Sequence, residues 1–207
     1  MQQSGKFITV EGIEGAGKST AVKYIQEYFL KKGKEIIVTR EPGGTPVAEE
    51  IRHLLLNPHT KEIIDPKAEL LLMFASRAQH IAGVISPALS AGKWVICDRF
   101  VDATYAYQSA GRGLDAKWIA LLEKFVVNNL SPTLTILLDI EPALGLARSR
   151  RRGPQDRFEK ETVEFFEKVR HAYLELAQQH KKRFAIINAA ESLSAVQTQL
   201  QDALHEL

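Results

Sequence analysis

Eight residues near the start of the chain, Gly12-Ile13-Glu14-Gly15-Ala16-Gly17-Lys18-Ser19, have the spacing G-x-x-x-x-G-K-[ST], directly behind the apolar run Phe7-Ile8-Thr9-Val10. That spacing has a mechanism only in the order strand, loop, helix. Glycines let backbone N–H groups converge on an anion, and a helix starting near Lys18 turns its positive dipole end toward the same point. The ligand this chemistry suits is a polyphosphate, with Lys18 reaching its outer phosphates and Ser19 ligating Mg²⁺. An ordinary turn between strand and helix would explain the glycines but not the Lys-Ser pair at its end.

Three other polar segments have residue types that suit the same chemistry. Arg40-Glu41-Pro42-Gly43-Gly44-Thr45 combines a charged pair with a proline and two glycines that fix an unusual backbone. A loop and helix cap would account for Pro42, Gly43 and Thr45 and leave the charged pair unexplained. Asp98-Arg99-Phe100 ends the apolar run Trp94-Val95-Ile96-Cys97. Its carboxylate could hold a Mg²⁺-bound water and its arginine could clamp a second phosphate, although an Asp–Arg ion pair can also cap a sheet with no ligand. Finally, Arg148-Ser149-Arg150-Arg151-Arg152 runs into Gly153-Pro154-Gln155-Asp156-Arg157. Three readings compete there: a solvated helix end, a nucleic-acid patch, and a lid over phosphates at about residues 148–158. Like charges three to four residues apart cost a few tenths of a kcal/mol unless an anion faces them, which favours the lid.

The elements that must position these residues follow from the apolar patterning. Phe7 to Val10, Glu35 to Thr39, Trp94 to Cys97, Leu134 to Ile140 and Phe184 to Ile187 are short continuous apolar runs, as expected of strands covered on both faces. Helical patterns lie between and after them, over Ser19–Lys32, Pro46–Leu56, Lys67–Gln79, Asp115–Asn128, Pro142–Arg151, Glu161–His180 and Leu193–Leu207. Gly33 closes the first helix, and Thr45 with Pro46 opens the second. The alternation predicts an α/β fold, a five-stranded parallel sheet with helices on both faces, formed as one domain over residues 1–207. In such a sheet the ligand sits at the carboxyl ends of the strands, so the polar segments should converge on one cleft.

Composition narrows the classes. Charged residues are 25% of the 207 and the net charge is only +2, so no global field marks a nucleic-acid-binding surface. The single cysteine, Cys97, lies in an apolar run and is expected to be a buried, inert thiol in a reducing cytoplasmic setting. Met1 to Lys6 is short and polar, and no run of about 18 apolar residues occurs, so neither secretion nor a membrane role is expected. His53, His59, His80, His171, His180 and His205 show no paired spacing for a zinc site.

Taken in order, Val10-Glu11-Gly12 running into the phosphate loop, Arg40-Glu41-Pro42-Gly43-Gly44-Thr45, Asp98-Arg99-Phe100 and the arginine-rich segment resemble the thymidylate kinases of the bacterial form, over nearly the whole chain. The resemblance implies a P-loop NTPase fold with a mobile lid, transfer of the γ-phosphoryl of ATP to dTMP with Mg²⁺, and a homodimer. It implies a donor site from Gly12, Ile13, Glu14, Gly15, Ala16, Gly17, Lys18, Ser19 and Thr20, with Arg148 able to lie against adenine. It implies an acceptor site in which Arg99 holds the dTMP phosphate with help from Arg40, near Glu41 and Pro42. Phe74 would stack on thymine, Arg77 would hydrogen-bond the base, and Thr104, Tyr107 and Gln108 would lie near sugar and base. From its residue type alone, Phe74 could equally be a core aromatic. Glu14 occupies a loop position that is basic in some members, so catalysis would fall to Lys18, Arg99, Glu14 and lid arginines, with Arg148 and Arg152 the candidates at the transferred group. Ser19 and Asp98 are the expected metal-side residues.

Another P-loop nucleoside monophosphate or deoxynucleoside kinase is the alternative within the fold. A GTPase would carry Asn-Lys-x-Asp, which is absent from the sequence. A nucleic-acid-dependent ATPase would use the arginine run as a contact surface, which the near-neutral net charge disfavours. The dimer surface expected from patterning is the helix over Lys67–Gln79, apolar on more than one stripe.

Overall fold

The computed structural model describes residues 5–58, 62–151, 153 and 155–207. Five parallel strands, β1 (Phe7–Glu11), β2 (Ile36–Arg40), β3 (Trp94–Asp98), β4 (Leu134–Asp139) and β5 (Phe184–Asn188), form one sheet in the order β2-β3-β1-β4-β5. β1 is central, with Phe7 paired to Val95 on one side and Ile8 to Leu134 on the other. The strand order reverses at β1, so the loop leaving its carboxyl end sits where a parallel sheet opens a crevice.

The two-residue alternation of a strand divides the core between the faces of the sheet. On β3, Trp94 and Ile96 join one buried cluster with Phe29 and Phe166, whereas Val95 and Cys97 join the other with Leu70, Phe74 and Ile119. Cys97 is buried, and burial pushes its thiol well above the ordinary range, which makes it inert. The first face is covered by α1 (Lys18–Lys31), α8 (Val163–Gln179) and α9 (Leu193–His205). The second is covered by α3 (Pro66–His80) and α6 (Ala116–Val126), while α2 (Pro46–Leu56) packs on α3. Caps set the helix starts: Thr45 Oγ1 accepts from Ala48 N, and Asp65, Asp115, Thr162 and Ser192 cap their helices in the same manner. α7 (Pro142–Arg150) follows β4.

Two helical stretches depart from the sequence expectation. α3 runs on through a π-helical segment, Ile81–Ile85, into the short α4 (Ser86–Ser90), although Gly83 and Pro87 interrupt the pattern. Pro87 has no N–H to continue the backbone ladder, and the wider π-helical turn lies directly before it. After β3 the chain forms α5 (Val101–Thr104) and then the π-helical segment Tyr105–Gly111. A π-turn does not repeat every 3.6 residues, so apolar periodicity does not mark it. This stretch carries Thr104, Tyr107 and Gln108.

Phe74 is placed in the core, a correction to the stacking role that the resemblance implied. Its ring is 2% exposed and belongs to the cluster of Phe7, Leu70 and Phe100. Helical geometry explains the shift by one residue: Phe74 shares a face with Leu70 four positions back, whereas Met73 shares one with Arg77 four positions on. Phe74→Ala should therefore lower the unfolding free energy by about 3–5 kcal/mol, read from urea denaturation. An unchanged midpoint with a defect confined to ligand binding would contradict the core placement.

Candidate active site

The loop between β1 and α1 closes on itself through Lys18, whose Nζ donates to the carbonyls of Gly12 (3.1 Å) and Ile13 (3.0 Å). α7 presses against the loop so closely that a Cβ on Gly15 would lie 1.8 Å from the Gly145 carbonyl. Burial pushes the Lys18 ammonium down to about 8, and Arg99 acts in the same direction, while Asp98, Glu14 and Glu11 oppose the shift.

Arg99 stands at the centre of the hydrogen-bond network. Its φ of 71° is a left-handed value that non-glycine residues rarely adopt, and its N–H donates to the Val10 carbonyl at 3.0 Å. Its Nη1 donates to the Gly12 carbonyl (3.0 Å) and the Tyr173 hydroxyl (3.2 Å), and its Nη2 donates to Glu14 Oε1 (2.7 Å). Tyr107 donates its hydroxyl to Glu14 Oε2 at 2.6 Å, and its ring centre lies 4.8 Å from the guanidinium. Behind them Tyr173 donates to Glu11 Oε2 (2.7 Å), whose other oxygen accepts from Phe100 N (2.7 Å). Burial raises Glu11 to about 8, with Asp102 adding to the shift and Arg99 reducing it. Burial also holds the Tyr107 and Tyr173 phenols well above 10, which keeps them as donors.

The segment after β2 is held from beneath. Glu41 joins Pro42 through a cis peptide bond, and its carboxylate accepts from Arg77 Nε (2.7 Å) and pairs with His80 Nδ1 (3.0 Å). A Cβ on Gly44 would lie 2.5 Å from the His80 ring, so the turn requires glycine there. Arg77 also donates through Nη2 to the Phe100 carbonyl at 3.1 Å, while its buried Nη1 has no partner among the described residues. Arg40 is half-exposed and pairs with Glu49 at 2.9 Å, so of the charged pair Glu41 is the member built into the buried network. No ion pair joins Asp98 to Arg99 among the described residues, so the cap reading of that pair does not apply.

These residues line one cavity of about 1030 Å³, open solvent included, between the loop, α2, α3 and the Thr104–Gln108 stretch. Glu14, Lys18, Ser19, Arg40, Glu41, Pro42, Arg77, Asp98, Arg99, Thr104, Tyr107 and Gln108 all face it. Arg52, Met73 and Phe158 face it too, although nothing in their residue types set them apart in the sequence. For Met73 the usable signal was its position four residues before Arg77. Phe158 belongs to the segment beyond the arginine run, where Asp156 Oδ1 accepts from the backbone N–H groups of Phe158 and Glu159.

A second cavity of about 760 Å³ lies across the loop, walled by Gly15, Ala16, Gly17, Thr20, Arg148 and residues of α9. Arg148 donates to the carbonyls of Ala189 (2.7 Å) and Ala190 (3.3 Å). It faces this second space and is not on the wall of the first. Arg152 and Pro154 lie outside the described residues, as does His59. Gly15 and Gly17 therefore line both spaces, with Lys18 and Arg99 on the first alone.

A sequence profile described as thymidylate kinase matches residues 10–200. The chain belongs to the thymidylate kinase family. It is 52% identical over 201 residues to the thymidylate kinase of Teredinibacter turnerae, covering 97% of this chain and 98% of the other. It is 54% identical to that of Pseudomonas entomophila, covering 97% and 95%. The crystal structure of thymidylate kinase from Ehrlichia chaffeensis superposes with a TM-score of 0.78 at 31% identity, covering 97% of this chain and 99% of that one. The family's reaction, transfer of the γ-phosphoryl of ATP to dTMP to give dTDP, is the activity of this chain.

Phosphate oxygens favour the charged form of Lys18, so nucleotide binding should raise its pKa and draw in a proton. Calorimetry of ATP binding at about pH 8.5, in buffers of different ionisation enthalpy, should give net proton uptake, with affinity falling as pH rises above about 8. Zero or negative uptake would contradict a low-pKa lysine in the loop.

Proposed function

We propose that dTMP occupies the first cavity, with its phosphate at Arg99 and its base against Met73, Arg77 and Gln108, and that ATP lies across the loop with its nucleoside toward Arg148. The observation that carries this reading is that Gly15 and Gly17 line both cavities. The loop thus brings donor phosphates and an acceptor phosphate to opposite sides of one backbone, near-contact geometry being much of what phosphoryl transfer needs.

Within that arrangement Lys18 stabilises charge on the transferred group, and Arg99 orients the attacking phosphate oxygen. Glu14 fixes Arg99 and Tyr107 together, which sets the distance between loop and acceptor. Ser19 and Asp98 both line the first cavity, and among the described residues no three acidic, histidine or cysteine groups cluster as a self-sufficient metal site. A cation that prefers oxygen ligands and shares substrate phosphates, Mg²⁺, suits such a sparse pair. When bound it offsets negative charge on the phosphate oxygens. The segment at about residues 148–158 acts as a lid whose far end, at Asp156 and Phe158, borders the acceptor space. Among the described residues no helix is long and apolar enough to cross a membrane. A cytoplasmic enzyme supplying dTDP to dTTP synthesis, without a nucleic-acid partner, is the corresponding setting.

The partner is a second copy of the chain. Trp118, Leu121 and Phe125 stand on one face of α6, and all three are more than half exposed, with Leu71 exposed on the adjoining α3. Such a patch suits a self-complementary two-fold contact. Most of it comes from α6, whereas the patterning had pointed to α3. Phe125→Glu should convert the dimer to a monomer in light scattering at micromolar concentration; a parent chain of monomer mass would overturn this reading.

Placement of the base is tested by Gln108→Leu, which should raise the apparent KM for dTMP at least about tenfold and leave that for ATP within about twofold. A defect selective for ATP would mean that the two nucleotide spaces are reversed.

A further inference from the structure

Glu69 is a buried carboxylate, 1% exposed, in the first turn of α3, and it is not among the residues that line the first cavity. Its Oε1 accepts from the Gln108 Nε2 amide at 2.8 Å and from Arg112 Nε at 3.3 Å, and its Oε2 accepts from Arg157 Nη2 at 2.5 Å. A carboxylate flanked by two guanidinium groups offers only acceptors. Gln108 must therefore turn its NH₂ group to Glu69, and its carbonyl Oε1 is left without a protein partner among the described residues, on a side chain that lines the first cavity. Glu69, Met73 and Arg77 recur every four residues along one face of α3, and Arg77, whose guanidinium carries donors only, lines the same cavity. The inner end of the cavity thus presents one fixed acceptor and one fixed donor.

We propose that Glu69 is a positioning residue for base specificity: by locking the Gln108 amide it makes the cavity read a pyrimidine edge that carries a carbonyl and a ring N–H. Thymine and uracil present that pair, O4 as acceptor and N3–H as donor. Cytosine presents the reverse, an exocyclic amine and an unprotonated N3, so it meets donor with donor and acceptor with acceptor. A hydrogen-bonding site rejects such a mismatch strongly, because its buried polar groups stay unpaired. The inference rests on the base placement given above.

Glu69→Gln tests it. Arg157, at 2.5 Å the closer of the two guanidinium groups against 3.3 Å for Arg112, claims the oxygen position of residue 69, so the new amide turns its NH₂ to Gln108, and Gln108 must flip to accept it. The NH₂ of Gln108 then faces the base. The ratio of kcat/KM for dTMP over dCMP should fall at least about tenfold, while the ratio of dTMP over dUMP, which share the same edge, stays within about twofold. Arg112→Ala removes another partner of Glu69 without touching the amide, and it should leave the dTMP to dCMP ratio within about twofold whatever it does to stability. A folded Glu69→Gln variant that slows both substrates alike would overturn the proposal and leave Glu69 as a structural hub. If that variant does not fold, dTMP methylated at N3 is offered to the parent protein. Binding at least about tenfold weaker than dTMP supports the fixed acceptor, and equal binding overturns it. The two readings separate cleanly: if Gln108→Leu leaves the KM for dTMP unchanged, the base placement fails, whereas if it raises that KM and Glu69→Gln leaves the ratio alone, only the orienting role fails.

Discussion

The ion pair between Arg99 and Glu14 is the constraint on which the site depends. It joins the residue after β3 to the loop after β1 at 2.7 Å, in surroundings where both side chains are largely buried. A buried charge left unpaired costs several kcal/mol, so neither residue can move without the other. The remaining bonds follow from that. Glu14 has a second oxygen, which Tyr107 fills, and Arg99 has a second nitrogen, which the Gly12 carbonyl and Tyr173 share. Two strand ends, those of β1 and β3, and two helical stretches, those of Tyr107 and Tyr173, are thereby held at fixed distances around one guanidinium. The left-handed backbone of Arg99 is explained by the same bonds, since a relaxed conformation would point the side chain away from them.

A second buried network does for the segment after β2 what Arg99 does for the loop after β1. Glu41, Arg77, His80 and Thr39 form a line in which Thr39 Oγ1 meets His80 Nε2 at 2.6 Å and Glu41 holds both His80 and Arg77. Glu69, with Gln108, Arg112 and Arg157, forms another. Replacing such groups by apolar ones of the same shape often stabilises a protein, so their retention in a core is not a stability device. What they supply is fixed direction: a guanidinium and an amide that cannot rotate present the same donor and acceptor to every ligand.

The fold was legible wherever a single period ruled. Five apolar runs gave five strands to within a residue or so, and the caps at Thr45 and Gly33 fell where small polar residues and glycine belong. Legibility failed where the period changed. The π-helical stretch Tyr105–Gly111 carries Tyr107 and Gln108, yet from pattern alone it could be taken only for an ordinary helix face. Phe74 shows the other limit. Residue type favoured the aromatic ring for contact with a base, but which of two neighbours faces the cavity is decided by about 100° of helical rotation, and that depends on how α3 sits on the sheet. Glu69 was invisible for a related reason, because a lone carboxylate in a first helical turn looks like an ordinary dipole partner.

The electrostatics of the loop explain why an acidic residue can stand inside it. Burial drives Lys18 down and Glu11 up, each to about 8, so both groups are pushed toward neutrality while Arg99 keeps its charge against Glu14. The loop is thus not a reservoir of positive potential; its cation is balanced before any ligand arrives. In the arrangement proposed above, incoming phosphates favour the charged lysine, and Arg99 shares its guanidinium between Glu14 and an oxygen of the acceptor. A basic residue in place of Glu14 would instead repel Arg99 and leave Tyr107 without its acceptor. With the loop's acid committed to holding Arg99, the additional positive charge for a triphosphate must come from outside the loop. Arg148, in the last turn of α7, faces the cavity across the loop and is placed to add such charge from outside it.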